Sequence, residues 1–163
     1  MLHDLMTVAG ESLTGTPWTV YPRPQMRRES YLNLNGAWDF SVNYEKMGQI
    51  RVPFCPESKL SCIGKHFEEG SLLCYTRTFR LEEGFNKGRV ILHIGAADQR
   101  ADVFLNGKPV GIHKGGYEAF SFDVTDLSSA NTKYPSDSIN STAFTLLRLT
   151  VSRLLFARSL SLN

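Results

Sequence analysis

Hydrophobic and polar residues alternate along most of the middle of the chain, which is the pattern of half-buried β-strands. The first clear run is Gly36–Val42, in which Trp38, Phe40 and Val42 share one face. The longest run covers residues 73–81, and Arg77 interrupts its apolar row, so we expect that face to lie near a rim or a site. Further runs predict strands at residues 50–52, 89–94, 100–105, 109–112, 119–124 and 145–151.

Residues with turn chemistry separate these runs. Asn106-Gly107 tolerates the two positive φ angles of a type I′ turn and predicts a hairpin between its flanking runs. Gly115-Gly116 predicts a second sharp reversal, and Thr125 with Asp126 is expected to cap a short turn. About eight short strands with hardly a helix predict an all-β sandwich. Periodicity alone does not separate a jelly roll from an immunoglobulin-like sandwich.

The chain divides into three parts by texture. Residues 1–30 are predicted to form an irregular arm, because Pro17, Pro22 and Pro24 lie close together there. Residues 31–152 contain the alternating runs and form the predicted sandwich domain. Residues 153–163 form a divergent tail whose leucines fit a helical stripe about as well as any other pattern.

Size and charge restrict the classes of function. With 163 residues, 42% hydrophobic and 21% charged, the chain is long enough for one domain with a sizeable core. A net charge of +2 and scattered basic residues do not favour a nucleic-acid partner. No run is apolar for long enough to predict a membrane span.

The cysteines favour a reducing compartment. Cys55, Cys62 and Cys74 are odd in number and form no CxxC pair, so a disulfide framework is not expected and a cytoplasmic location is. The four histidines do not group with them at zinc-ligand spacing. We therefore expect neither a metal nor a cofactor.

Six segments together resemble the N-terminal domain of glycoside hydrolase family 2, the family of β-galactosidases, β-glucuronidases and β-mannosidases. Leu34-Asn35-Gly36-Ala37-Trp38 opens the strand region, and Leu105-Asn106-Gly107-Lys108 forms the hairpin. The segments are residues 31–40, 52–58, 75–79, 90–98, 103–111 and 113–125. The resemblance implies a galactose-binding-like jelly roll with no catalytic residue of its own.

The resemblance also implies that the catalytic chemistry lies elsewhere. Family 2 enzymes hold two catalytic glutamates on a TIM barrel further along the chain, and a barrel needs about 250 residues. We therefore expect this chain to be a truncated, non-catalytic fragment. The adjacent acids Glu68-Glu69 and Glu82-Glu83 are predicted to be solvated, and no Gly-x-Ser-x-Gly motif is present.

The C-terminal segment departs from the family pattern. Residues 128–143 replace a short turn, and the basic, leucine-rich residues 152–163 replace an acidic loop that reaches toward the active site. Cys74 stands where the family has an aromatic residue. A truncation, an altered reading frame and true divergence all account for this departure.

Five loop residues are the candidates for carbohydrate binding. They are His66, Asp98, Arg100, Tyr117 and Glu118, which offer hydrogen-bonding groups for sugar hydroxyls and one aromatic ring. The structural alternative is that Asp98 and Arg100 form a surface ion pair, Tyr117 packs and His66 is solvated.

Three functions remain open at this point. The first is a carbohydrate-binding and scaffolding domain that packs on the catalytic barrel of a parent enzyme acting on a β-galactoside or β-glucuronide. The second is a free-standing carbohydrate-binding module. The third is a structural domain that mates with another protein through its apolar residues 146–162.

Overall fold

The computed structural model describes residues 6–20, 25, 29–128, 144–151 and 161–162, and it describes only the backbone of residues 128, 144–151 and 161–162. Strands dominate this part of the chain, so the predicted all-β class is confirmed. In chain order the elements are α1 (Val8–Glu11), β1 (Leu32–Asn33), β2 (Gly36–Val42), β3 (Glu45–Val52), β4 (Leu73–Arg80), β5 (Ile91–Ile94), β6 (Arg100–Leu105), β7 (Lys108–Lys114), β8 (Phe120–Asp123), α2 (Thr125–Ser128), β9 (Phe144–Val151) and β10 (Ser161–Leu162).

The strands form two antiparallel sheets. One sheet has the strand order β1-β10-β5-β8, and the other has the order β3-β2-β4-β9-β6-β7. The chain passes repeatedly from one sheet to the other, for example between β4 and β5 and again between β7 and β8. The result is the predicted β-sandwich, with strand crossings of the jelly-roll kind.

A single hydrophobic core joins the two sheets. Trp38 and Tyr75 of the six-stranded sheet and Leu92 of the four-stranded sheet are each at most 1% exposed and belong to the same cluster. Burying a side chain of this size contributes about 2–3 kcal/mol. Gly111 on β7 permits a further contact between the sheets, since a β-carbon there would lie 2.9 Å from Cδ1 of Phe122 on β8.

Most of the predicted strands are found, but alternation does not predict the first part of β3. Strand β2 has the predicted bounds, but β3 begins at Glu45 rather than at residue 50. Strand β3 lies at an edge of its sheet, and its first three residues are all exposed. A strand that buries neither face at its start carries no alternation to detect.

The Asn106-Gly107 hairpin is confirmed. Both residues have positive φ angles, 52° and 77°, and they join the antiparallel strands β6 and β7. The Asn106 side-chain amide also donates to the carbonyl of Leu127 at 3.0 Å, which fastens the hairpin to α2. The expected turn at Thr125 is therefore a short helix held against this hairpin.

The N-terminal arm is fastened to the sandwich where it is described. The side-chain amide of Asn33 donates to the carbonyl of Trp18 at 2.7 Å, and that of Asn35 donates to the carbonyl of Pro17 at 3.3 Å. The ring of Trp18 lies 5.7 Å from the ring of Phe54. The domain boundaries proposed from the sequence stay predictions, and residues 153–160 and 163 of the tail lie outside the described residues.

Arg77, the charge in the apolar row of β4, holds the turn before β2. Its Nη1 donates to the carbonyls of Leu34 at 2.8 Å, Asn35 at 2.9 Å and Ala37 at 3.4 Å. The guanidinium lies 5.9 Å from the centre of the Trp38 ring. Burial lowers the pKa of Arg77, but a guanidinium stays cationic at neutral pH. Its place in the core row is therefore structural.

Candidate functional site

Two chain reversals meet at one end of the six-stranded sheet. Arg100 at the start of β6 pairs with Lys114 at the end of β7. Just beyond this pair, the backbone N–H of Gly115 donates to the carbonyl of Gln99 at 2.7 Å. The peptide bond between Asp98 and Gln99 is cis. The segment before β6 and the loop after β7 are thereby held together.

Asp98 is buried against the double glycine. Its side chain is 6% exposed, and a β-carbon on Gly116 would lie 2.6 Å from its Cγ. Any side chain at position 116 would therefore displace the carboxylate. Among the described residues, no hydrogen bond or ion pair to this carboxylate is found. A carboxylate is only an acceptor, so the acceptor capacity of this one is unused within the described part of the chain.

Arg100 pairs with Asp102 rather than with Asp98. Its Nε donates to Asp102 Oδ2 at 3.1 Å and its Nη2 donates to Oδ1 at 3.1 Å. These hydrogen bonds raise the pKa of Arg100. The sequence analysis considered a surface ion pair between Asp98 and Arg100. Arg100 does form a surface ion pair, but its partner is Asp102, so Arg100 does not compensate Asp98.

Tyr117 and Glu118 extend from the same loop into solvent. Tyr117 is 86% exposed, so it does not pack on the domain, and Glu118 is also exposed. The structure therefore brings Asp98, Arg100, Tyr117 and Glu118 to one end of the sandwich. An exposed aromatic ring beside a buried acceptor is an arrangement suited to a sugar.

His66 belongs to a different part of the surface. Its Nδ1 lies 3.5 Å from Glu57 Oε1, and both side chains are largely exposed. Glu57 follows the end of β3, where Val52 pairs with Gly36, which is the opposite end of the sheet from Arg100. Solvated His66 is thus separate from the other four candidates.

Two titratable groups with shifted pKa values, which no sequence pattern indicates, are Cys55 in the loop that follows β3 and Tyr75 on β4. Burial is the largest cause that raises the pKa of the Cys55 thiol, and burial raises the pKa of Tyr75 well above its usual value. The Tyr75 hydroxyl finds no hydrogen-bond partner in the described part of the structure. Both groups are held in their protonated forms, which are poor nucleophiles and poor bases. No feature of the sequence distinguishes these residues from ordinary core positions.

Within residues 6–20, 25 and 29–128, no group of three or more His, Cys, Asp and Glu side chains is arranged to hold a metal ion. In the same part of the chain, no helix has the length and apolar character needed to cross a membrane.

Comparison with known proteins identifies the relatives of this chain, although no protein-family model matches it. The chain is 30% identical over 97 residues to a β-glucuronidase of Bacteroides fragilis, an alignment that covers 58% of this chain and 14% of that protein. It is 28% identical over 94 residues to a β-galactosidase of Thermoanaerobacter pseudethanolicus, with 58% and 13% covered. It therefore spans a small part of the length of these relatives.

Solved structures give the same result. The sandwich matches a β-glucuronidase of Bifidobacterium dentium, solved with coumarin-3-O-glucuronide, with a TM-score of 0.54 and 26% identity. The match covers 80% of this chain and 21% of that one. The resemblance found in the sequence is thus confirmed, because homologues of this chain include β-glucuronidases and β-galactosidases of glycoside hydrolase family 2.

Proposed function

We propose that this chain is a non-catalytic carbohydrate-binding and scaffolding domain of a family 2 glycoside hydrolase. The observation that supports this most is the loop end where buried Asp98 lies beside the Gly115-Gly116 reversal and exposed Tyr117. The similarity to β-glucuronidases and β-galactosidases supports a β-galactoside or a β-glucuronide as the ligand.

The proposed binding mode follows from the chemistry of these groups. Sugar hydroxyls donate hydrogen bonds to the Asp98 carboxylate, which has no donor among the described residues. The ring of Tyr117 covers the apolar face of the sugar, since it is exposed and carries a polar tip. We expect a site that consists of one carboxylate and one exposed ring to bind weakly, with a dissociation constant of about 1 mM or above, because it would bury little of the ligand.

The absence of catalysis by this chain is part of the proposal. A retaining glycosidase needs two carboxyls about 5 Å apart, one of them with a raised pKa. In the described residues, Asp102 and Asp123 are engaged with arginines, and Glu29 is engaged with Lys87. The pKa values of Glu29 and Asp123 are lowered by these and other hydrogen bonds, the direction opposite to that of a general acid.

The scaffolding part of the proposal has its own support. In its described part, the N-terminal arm exposes the large apolar side chains of Val8, Trp18 and Val20. Trp18 is 66% exposed, and its backbone carbonyl accepts a hydrogen bond from Asn33. Exposed apolar side chains that lie close together mark contact surfaces between proteins or domains, and we propose this role for the arm. We propose the catalytic barrel of the parent enzyme as the partner, in the cytoplasm, where the three free cysteines stay reduced.

An NMR titration of the full chain with methyl β-galactoside and methyl β-glucuronide tests the binding function. We expect the amide signals of residues 98–100 and 115–118 to shift with a dissociation constant in the millimolar range, and Tyr117→Ala to weaken binding at least about five-fold. Tyr44→Ala is the matched control, because Tyr44 is 78% exposed and lies on the β2–β3 turn at the other edge of the sheet. Equal losses in the two variants, or no binding by the wild-type chain, would contradict the proposal. Binding much tighter than 1 mM would instead favour a free-standing module.

A further inference from the structure

We propose that the carbohydrate site at Tyr117 extends along the end of the six-stranded sheet to Tyr44, and that it binds a β-linked oligosaccharide of about four units. This inference rests on the proposed function, because it takes Tyr117 as one end of the site. It adds the length of the ligand and a second aromatic contact.

Strand pairing places both tyrosines at the same end of this sheet, on opposite edges. One row of paired residues crosses five strands and consists of Val42, Leu73, Val151, Ala101 and His113. Tyr44 follows the first member of this row by two residues, and Tyr117 follows the last member by four. Both chain segments leave the row in the same direction, so the two rings flank one end of the sheet.

The spacing of the strands sets the length of ligand that reaches both rings. Strands β4, β9 and β6 separate β2 from β7. Neighbouring strands lie about 4.8 Å apart, so four spacings put the two turns on the order of 20 Å from each other. A hexose ring is about as wide as one strand spacing. A monosaccharide on Tyr117 therefore does not reach Tyr44, whereas a chain of about four units spans both.

Tyr44 is displayed at a cost in stability. It has a φ angle of 71° in the two-residue turn between β2 and β3, at a position that glycine usually takes. The side chain is 78% exposed, so burial does not compensate this strain. Asn43 fixes the turn, because its backbone N–H donates to the carbonyl of Leu72 and its Oδ1 accepts from the N–H of Leu72, both at 2.9 Å. A fixed, exposed ring loses little freedom on binding, which favours a role in recognition.

Uncharged hydrogen-bonding groups lie between the two rings. The side chains of Asn43 and Gln99 are exposed, and each carries an amide that can serve sugar hydroxyls. The carbonyl of Gln99 accepts from Gly115, which holds this residue beside the loop that carries Tyr117. Recognition by rings and amides does not depend on the protonation of any acid or histidine at this end of the sheet.

The test measures the affinity of the full chain for methyl β-galactoside, β-1,4-galactobiose and β-1,4-galactotetraose by NMR titration at neutral pH. Galactobiose is too short to reach both rings and should gain no more than about two-fold over the monosaccharide. Galactotetraose should gain about twenty-fold, because about four-fold comes from its equivalent units and about five-fold from the second ring. The amide signals of residues 43–45 should shift with galactotetraose only.

Variants of Tyr44 separate the two ends of the site. Tyr44→Ala should weaken galactotetraose about five-fold and leave the monosaccharide affinity unchanged. Tyr44→Gly suits the positive φ angle and should have the same effect, which keeps the test decisive if Tyr44→Ala does not fold. Met47→Ala is the matched control, because Met47 is an exposed apolar residue on the same hairpin, and it should change neither affinity.

The outcomes distinguish this inference from the proposed function. A galactotetraose gain of about four-fold or less, or a galactotetraose affinity that Tyr44→Gly leaves unchanged, would overturn the inference while leaving the proposed function intact. Failure of all three sugars to bind would overturn the inference together with the carbohydrate-binding function.

Discussion

Replacing Arg77 with Met should destabilise the fold substantially, although the residue is only half-buried. The substitution keeps most of the apolar stem and removes the hydrogen bonds to the carbonyls of Leu34 and Asn35, at 2.8 and 2.9 Å. A hydrogen bond to a charged group contributes about 1.5–3 kcal/mol. The carbonyl of Leu34 keeps the indole N–H of Trp38 as a donor at 2.7 Å, so the full sum is not lost. We expect a loss of about 2–4 kcal/mol in the free energy of unfolding.

Urea unfolding, followed by tryptophan fluorescence, measures this loss, since Trp38 is buried in the folded state. Arg80→Met is the matched control, since Arg80 lies on the same strand but is exposed, and it should change the free energy of unfolding by less than about 0.5 kcal/mol. Arg77→Lys should recover only part of the loss, because an ammonium group cannot reach several carbonyls in the plane of a guanidinium. A difference below about 0.5 kcal/mol between Arg77→Met and Arg80→Met would refute the reasoning.

Three further predictions follow from the same structure. Gly111→Ala forces its β-carbon against the ring of Phe122 and should cost about 1–3 kcal/mol in urea unfolding, whereas Gly15→Ala, with open space around it, should be nearly neutral; equal effects would contradict the inter-sheet contact. The pKa of Asp123 is lowered from 3.8 to about 2 by hydrogen bonds from Thr125, so its ionised form stabilises the fold above about pH 4 and this contribution is lost as the pH falls toward 2. The urea midpoints of wild type and Asp123→Asn should therefore converge over that range, and a difference that stays constant would be evidence against it. Cys62 is the exposed thiol of the three, so one cysteine per chain should react rapidly with a thiol reagent near pH 8, and Cys62→Ser should remove that fast phase; a fast phase that persists in Cys62→Ser would show that another thiol is accessible.

Alternation and turn residues were sufficient to predict the sandwich, because most strands have one face in the core. Trp38, Phe40 and Val42 on β2 are buried on the face that their spacing indicates. Strand β1 escaped detection because its two residues are too few to show a period, and the start of β3 escaped detection because its first three residues are all exposed. Alternation therefore predicts the strands that contribute to the core. The bounds of edge strands depend on tertiary contacts that alternation does not show.

The candidate site was predictable only in part. The Gly115-Gly116 reversal drew attention to Tyr117 and Glu118, and the structure places Asp98 beside them. The Asp98 carboxylate is buried against Gly116, and Arg100 binds Asp102. The sequence does not predict this arrangement, because it depends on contacts between segments that are distant in the sequence. For the same reason, the interruption of the apolar row by Arg77 predicted a special position but not its carbonyl partners.

The most direct test of the account is an NMR titration of the purified chain with 4-nitrophenyl β-galactoside, which reports binding and cleavage in one sample. We predict that the amide signals of residues 98–100 and 115–118 move as the ligand is added, while no free 4-nitrophenol accumulates over days. Release of 4-nitrophenol in proportion to the concentration of this chain, or a spectrum that the ligand leaves unchanged, would contradict the assignment of a carbohydrate-binding domain without catalysis.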